Sequence, residues 1–238
     1  MRLVNSELLK LRTTPRTVLG LLLALLAIVV IGTIGTIHGA DPVNQATLED
    51  VESVVEFTDV IAVILGVLVI TWEYRHDTIT ETFLIEPRRE RVVIAKAVAA
   101  MVTGAVLALA SLVVSLGIAF VWIGEKVSFD GHIWGTGGRL IASAAIYGAL
   151  GVGVGAIVRG QALAIVLVFV WLLIVESLLK SYFEEEGRFL PGSVLTQVAG
   201  ESTNEVHLAT GPAVGMAMLY LVAFVGVGAF LTVRRDVT

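Results

Sequence analysis

Residues Thr17–Ile37 carry no charged side chain. Coiled as an α-helix at 1.5 Å per residue they extend about 30 Å, the thickness of bilayer hydrocarbon. In lipid every backbone N–H and C=O needs an internal partner, so such a run has to be helical. The pattern recurs. Ala97–Ile123, Leu140–Val158 and Leu208–Val233 are equally free of charge, and Gln161–Leu179 is apolar up to Glu176. Ser53–Trp72 is interrupted by Glu56 and Asp59 in its first turns. No run alternates with period two over ten residues, which argues against transmembrane strands. The 238 residues are 56% hydrophobic and 16% charged, against about 45–50% and about 25% in soluble domains. The expected fold is an all-α polytopic membrane protein of six transmembrane helices, forming one domain over residues 1–238.

Lys and Arg in the connecting loops set the orientation. With six crossings, Arg2, Lys10, Arg12, Arg16, Arg75, Arg88, Arg89, Arg91, Lys96, Arg159, Arg234 and Arg235 share one side, leaving Lys126, Arg139, Lys180 and Arg188 on the other. Acids lean the opposite way, with Asp41, Glu49, Asp50 and Glu52 in the first outer loop and Glu184, Glu185, Glu186, Glu201 and Glu205 in the last. Both termini are therefore expected in the cytoplasm. Thr17–Ile37 is too long for a signal-peptide core and lacks a clean cleavage site, so it reads as a retained span. Before it, Leu3, Val4, Leu8, Leu9 and Leu11 fall roughly on one helical face beside Arg2, Lys10 and Arg12. Residues 1–16 thus read either as an interfacial helix bracing the first span or as a basic anchor that fixes topology.

Several chemistries have nothing to work with. The chain has no cysteine, which removes disulfides, thiol nucleophiles and Cys-ligated metals. His38, His132 and His207 show no metal-ligand spacing, and neither H-E-x-x-H nor G-x-S-x-G occurs. No basic stripe with interleaved aromatics suggests nucleic-acid binding. There is no G-x-x-x-x-G-K-[ST] loop and no Gly-Lys pair anywhere, so a Walker-type phosphate cradle is absent.

One segment is conspicuously polar: EYRHDTITETFLIEPRRERVVIAK, Glu73–Lys96. It could be a solvated loop whose cations merely set orientation. Its internal spacing suggests more. Thr78, Ile79, Thr82 and Phe83 stand at helical i, i+3 and i+4 positions, so a short helix would present Ile79 and Phe83 on one face until Pro87 ends it. Arg88, Arg89 and Arg91 follow where the third span enters the membrane, placed for phosphates. With no bilayer to bury Ile79 and Phe83, such a helix calls for a protein groove.

This segment resembles the loop between spans two and three of ABC type-2 transporter permeases. The likeness is carried by Glu73, Tyr74, Arg75, Thr78, Ile79, Thr80, Thr82, Pro87, Arg88, Arg89, Ala95 and Lys96. Ser6–Thr17, Phe189–Ser193 and Arg234–Val237 resemble that family's N-terminus, last outer loop and C-terminal end. Asp77 departs from it, standing where these permeases often have Gly. The resemblance implies the six-helix type-2 exporter fold and a cytoplasmic coupling helix seated in a separate ATPase. Arg75, His76, Thr78, Ile79, Thr80, Thr82 and Phe83 would contact that partner, with Glu73, Arg88 and Arg89 transmitting its stroke. It also implies a dimer, with a second copy or a sister permease, two ATPases that hold the ATP and Mg, no cofactor on this chain, and the bacterial plasma membrane.

Other residues leave alternatives open. Glu73 could pair with Arg75 or Lys96, or sit in water. Gly148, Gly151, Gly153 and Gly155 allow close helix packing or a hinge. Glu176 is an interfacial or loop-paired carboxylate, or else a substrate or proton site. Phe189–Gly200 is a short outer helix, interfacial or half-inserted, or a plain loop. A permease coupled to a partner ATPase, with no catalytic residue of its own, is the expected function. A non-transporting scaffold that recruits a partner through the same loop is the alternative. An ion-coupled transporter would need mid-span charges and inverted repeats, which are not evident.

Overall fold

The computed structural model describes residues 3–4, 6–7, 9, 15–39, 54–55, 57–76, 78–123, 131–183, 185–200 and 208–235. Much of residues 1–16, Asp77, Glu56, His207 and most of the acidic outer-loop residues lie outside that set, as do the side chains of His38 and His132. Among the described residues there is no strand. The chain runs α1 (Pro15–Gly39), α2 (Phe57–Arg75), α3 (Ile79–Ile85), α4 (Arg89–Ile123), α5 (Gly131–Val158) and α6 (Gln161–Phe169). A π-helical turn, Val170–Val175, leads into α7 (Glu176–Tyr182), followed by α8 (Pro191–Ala199) and α9 (Thr210–Arg234).

Among the described residues five helices are long and apolar enough to cross a membrane: α2, α4, α5, the continuous α6–π–α7 unit and α9. The sixth span, α1, carries a shorter apolar stretch, Leu22–Thr36. The chain is an all-α multi-pass membrane protein. Its spans differ from the sequence reading mainly at their polar ends. The third begins at Arg89, so Lys96, read as loop, lies about 10 Å inside a helix. At 35 residues that helix is about 52 Å long and outreaches the hydrocarbon layer.

Packing centres on α5, which touches α2, α4 and α9. Glycine makes this possible where backbones meet. A methyl group on Gly66 of α2 would run into the Gly148 carbonyl of α5, and one on Gly151 into the Val63 carbonyl. Helices that lack a hydrophobic drive toward each other in lipid gain dispersion energy from such close approach. The run Gly148–Gly155 is thus a packing surface. Side-chain hydroxyls fasten the far half of the bundle: Thr33 pairs with Ser115 at 2.8 Å, Thr58 donates to Ser111 at 3.0 Å, and Ser143 donates to the Asp59 carboxylate at 2.6 Å.

Large apolar side chains point outward from several spans, among them Leu23, Val113, Leu173 and Val222. In water this would be a liability. In a bilayer it is the solvent-facing surface.

Candidate functional site

The ends of α2, α5 and α9 and the starts of α4 and α6 meet at one end of the bundle, where arginines fasten them. Arg75 Nη1 donates to Gln161 Oε1 at 3.2 Å. Arg235 Nη1 donates to the Ile157 carbonyl at 2.9 Å, near the close of α5. Arg89 Nη1 reaches the carbonyls of Thr232 and Arg235, at 3.4 and 3.2 Å, where α9 finishes. Helix C-termini leave carbonyls without intrahelical partners and bear partial negative charge, which guanidinium groups satisfy. Arg159 closes α5 with φ of 61°, a left-handed position usually given to glycine. Its guanidinium lies 5.2 Å from the Tyr74 ring centre.

Beneath this layer sits a buried ionic cluster. Lys96 Nζ donates to Glu73 Oε1 at 2.8 Å, Glu7 Oε2 at 2.6 Å and the Val69 carbonyl at 3.3 Å. All three side chains are nearly inaccessible. An unpaired ammonium here would be prohibitively desolvated. Two carboxylates and a carbonyl make the position tenable. Glu73 thus pairs with Lys96, and Arg75 turns away to Gln161.

Glu73 also reaches α3. Its Oε2 accepts from Thr82 Oγ1 at 3.3 Å, and its backbone carbonyl accepts from the Thr78 N–H at 3.1 Å. One carboxylate therefore joins α2, α3 and α4, and through Lys96 the N-terminal segment bearing Glu7. The side chain of Glu7 was assigned no role from the sequence. Its only signal there was an acid set among the leucines of an amphipathic stretch.

The short helix forms where its spacing predicts, starting after Thr78 and ending at Glu86, whose extended backbone precedes Pro87. Its facing differs from expectation. Ile79 and Phe83 are buried, packed with Val92 and Tyr74 of this same chain. The groove they call for is supplied internally, because α4 starts early enough to bring Val92 beneath them. Arg89, expected to face phosphates, lies 5.1 Å over the Phe83 ring and is bound to the end of α9. What α3 and its N-cap Thr78 present outward is Thr78, Thr80, Glu81 and Leu84, with Leu84 82% exposed. Arg75, His76, Arg88 and Arg91, which flank α3 along the chain, are exposed as well. His76 Nδ1–H donates to the Trp72 carbonyl at 2.9 Å, and its ring stacks on Trp72. Leu84 was missed because helical spacing groups residues on a face without saying which face a neighbour covers.

At the far end, Glu176 is buried and loop-paired. Its carboxylate accepts from the backbone N–H groups of Gly192, at 3.0 Å, and Ser193, and from Ser193 Oγ at 3.1 Å. Lys180 Nζ lies 3.4 Å away. Pro191 is the first residue of α8, so Gly192 and Ser193 are the next two, whose N–H groups have no intrahelical acceptor. A side chain from another helix performs the capping that a local Ser or Asp usually provides. Val194, Leu195 and Val198 of α8 are buried, inserted against α5 and α9.

No match was found among curated proteins. A family model described as "ABC-2 family transporter protein" matches residues 3–175. The matched stretch contains Glu7, the whole of α3 and Lys96, and stops at the end of the π-helical turn. With six spans and a family match over most of its length, this chain belongs to the ABC-2 family of membrane transporter proteins and is a permease component.

Proposed function

We propose that the chain is the membrane half of an ABC exporter driven by a separate ATPase that docks on the outward face of α3. The observation that carries this reading is Leu84. It stands exposed on a helix whose opposite side is anchored to Glu73 and packed on Val92. A solvated leucine flanked by Thr80, Glu81, Arg75, Arg88 and Arg91 is suited to a partner cleft with an apolar centre and a polar rim. In this reading the Arg-rich end and both termini are cytoplasmic, in a bacterial plasma membrane. Two ATPases bind ATP and Mg and press on α3 in two permeases, either two copies of this chain or one with a sister.

The stroke passes inward through buried chemistry. A push on α3 meets Thr82 and Phe83, then Glu73 and Lys96. It cannot dissipate in side-chain rotation, because Lys96 is held from three directions. Glu7 extends the same movement to the N-terminal segment. Displacement of α3 therefore becomes relative displacement of α2 and α4, which both pack on α5.

Leu84→Asp tests the docking surface without burying a charge. Coexpressed with its ATPase, this variant is expected to lose capture of the ATPase and transport while keeping the wild-type melting profile. Thr80→Arg should act likewise. Wild-type capture and transport by both variants would defeat the assignment. Capture without any transport by the unaltered complex would instead support a scaffold.

A further inference from the structure

An apolar cavity of about 330 Å³ opens between α2, α5, α6, α8 and α9. Val63, Leu150 and Leu195 form a buried floor, whereas Leu167 and Trp171 at its edge are exposed. Tyr147 and Val154 both line it, and α5 rises about 10 Å between them, so the cavity is an elongated slot. Trp171 and Leu172 come from the π-helical turn, a rare geometry found mostly at functional sites. Protein interiors leave few voids larger than a water molecule. Water in the slot would find too few of the two to four polar partners it needs. An apolar cavity of about 150 Å³ already admits benzene, and this one is roughly twice that size.

Depth identifies the occupant. Phe224, in the wall, lies about 21 Å from the start of α9 and about 15 Å from its end. Leu167, at the edge, lies about 9 Å along the fifth span from Gln161. The slot therefore opens at the level of lipid tails, and the faces of α6 and α9 around it are apolar and exposed, as at Leu163 and Val222. In lipid no hydrophobic drive assists entry. The gain is dispersion, because walls that border a void lack partner atoms on one side. Nearby polar groups select no head. A second cavity of about 260 Å³ shares Tyr147, Leu172 and Gly192 with the first and forms a polar mouth at the end of the bundle that bears α8. Its Asp59 and Glu176 already have partners, Asp59 in Ser143 and Glu176 in the start of α8 and Lys180. We infer that the slot is a binding site for one acyl chain of a bilayer phospholipid, entered sideways from the membrane and recognising the chain alone. The site needs no ATPase, so its test is independent of the docking surface on α3.

The full chain in nanodiscs is irradiated with phosphatidylcholine or phosphatidylglycerol carrying a diazirine at the end of one acyl chain, and labelled peptides are mapped by mass spectrometry. Labelling is expected on the buried floor, at Val63, Leu150 or Leu195, equally for the two heads. Leu150→Phe fills the slot and Leu167→Trp narrows its edge. Each should reduce floor labelling at least about fivefold, the lower end of overpacking costs, and leave labelling of exposed Val113 unchanged. Leu167 is exposed, so its replacement keeps the test valid should Leu150→Phe fold poorly. Labelling confined to exposed residues such as Val113 and Val222 would mean that the slot is empty or covered by a second copy, and would overturn the site. Floor labelling that persists in both variants would overturn it as well. A preference for one head would overturn recognition by the chain alone.

Discussion

Lys96 holds together parts of the chain that are remote in sequence, since Glu7 and Glu73 lie 89 and 23 positions from it. Lys96→Met would leave two carboxylates buried without their shared cation. Breaking a buried pair in this way costs about 3–5 kcal/mol, so the purified chain should melt well below wild type in mild detergent. Glu73→Gln leaves the Glu7 pair and an acceptor for Thr82, and should cost less, about 1–3 kcal/mol. If Lys96→Met melts with the wild type, the cluster is hydrated and the transmission route fails. Glu176 makes a parallel case at the far end. Glu176→Ala removes the acceptor for two backbone N–H groups at the start of α8, at about 1–3 kcal/mol. Amide hydrogen exchange at Gly192 and Ser193 should accelerate, with little change in α2.

The helices themselves are set by lipid and glycine together. Gly66→Ala places a methyl group against a backbone carbonyl that cannot rotate away. Overpacking of this kind costs about 1–3 kcal/mol, and α2 and α5 should separate enough to lower the melting temperature. Gly20→Ala is the control, because nothing lies within 4 Å of its added carbon and alanine favours helix. Its stability should equal or exceed wild type. These elements were largely legible beforehand, since uncharged runs of bilayer length admit one backbone solution. The boundaries at charged residues were not. Lys96 looks like loop until Glu7 and Glu73 neutralise it; the Glu73 pairing was one of the alternatives open in the sequence, whereas Glu7, 89 positions away, is invisible to any local window. The same holds for α3. Periodicity places Ile79 and Phe83 together, but only the early start of α4 turns them inward and leaves Leu84 outside. Glu176 was legible as an acid needing a partner, whereas its partner, a helix N-terminus 16 positions on, was not.

Taken together, the spans present apolar surface outward, and the polar machinery is divided between two ends. The Arg-rich end carries the buried cluster and the exposed face of α3, and the other carries Glu176, α8 and the mouth of the cavities. A functioning permease requires these ends to lie on opposite sides of the membrane. The absence of cysteine makes this directly measurable. Leu84→Cys and Tyr182→Cys each introduce one thiol at a site at least 80% exposed, at opposite ends of the bundle. In intact cells an impermeant maleimide should label only Tyr182→Cys, and in inside-out vesicles only Leu84→Cys. Bound ATPase should then slow labelling of Leu84→Cys by covering it, while leaving Tyr182→Cys unchanged in the opposite preparation. The reverse pattern would place the α3 face away from any cytoplasmic motor, and no rearrangement of contacts within the bundle could rescue the coupling route. Labelling of both thiols from one side would mean an even number of crossings between them, so that one of the three spans α4, α5 and α6–π–α7 that separate α3 from Tyr182 fails to cross.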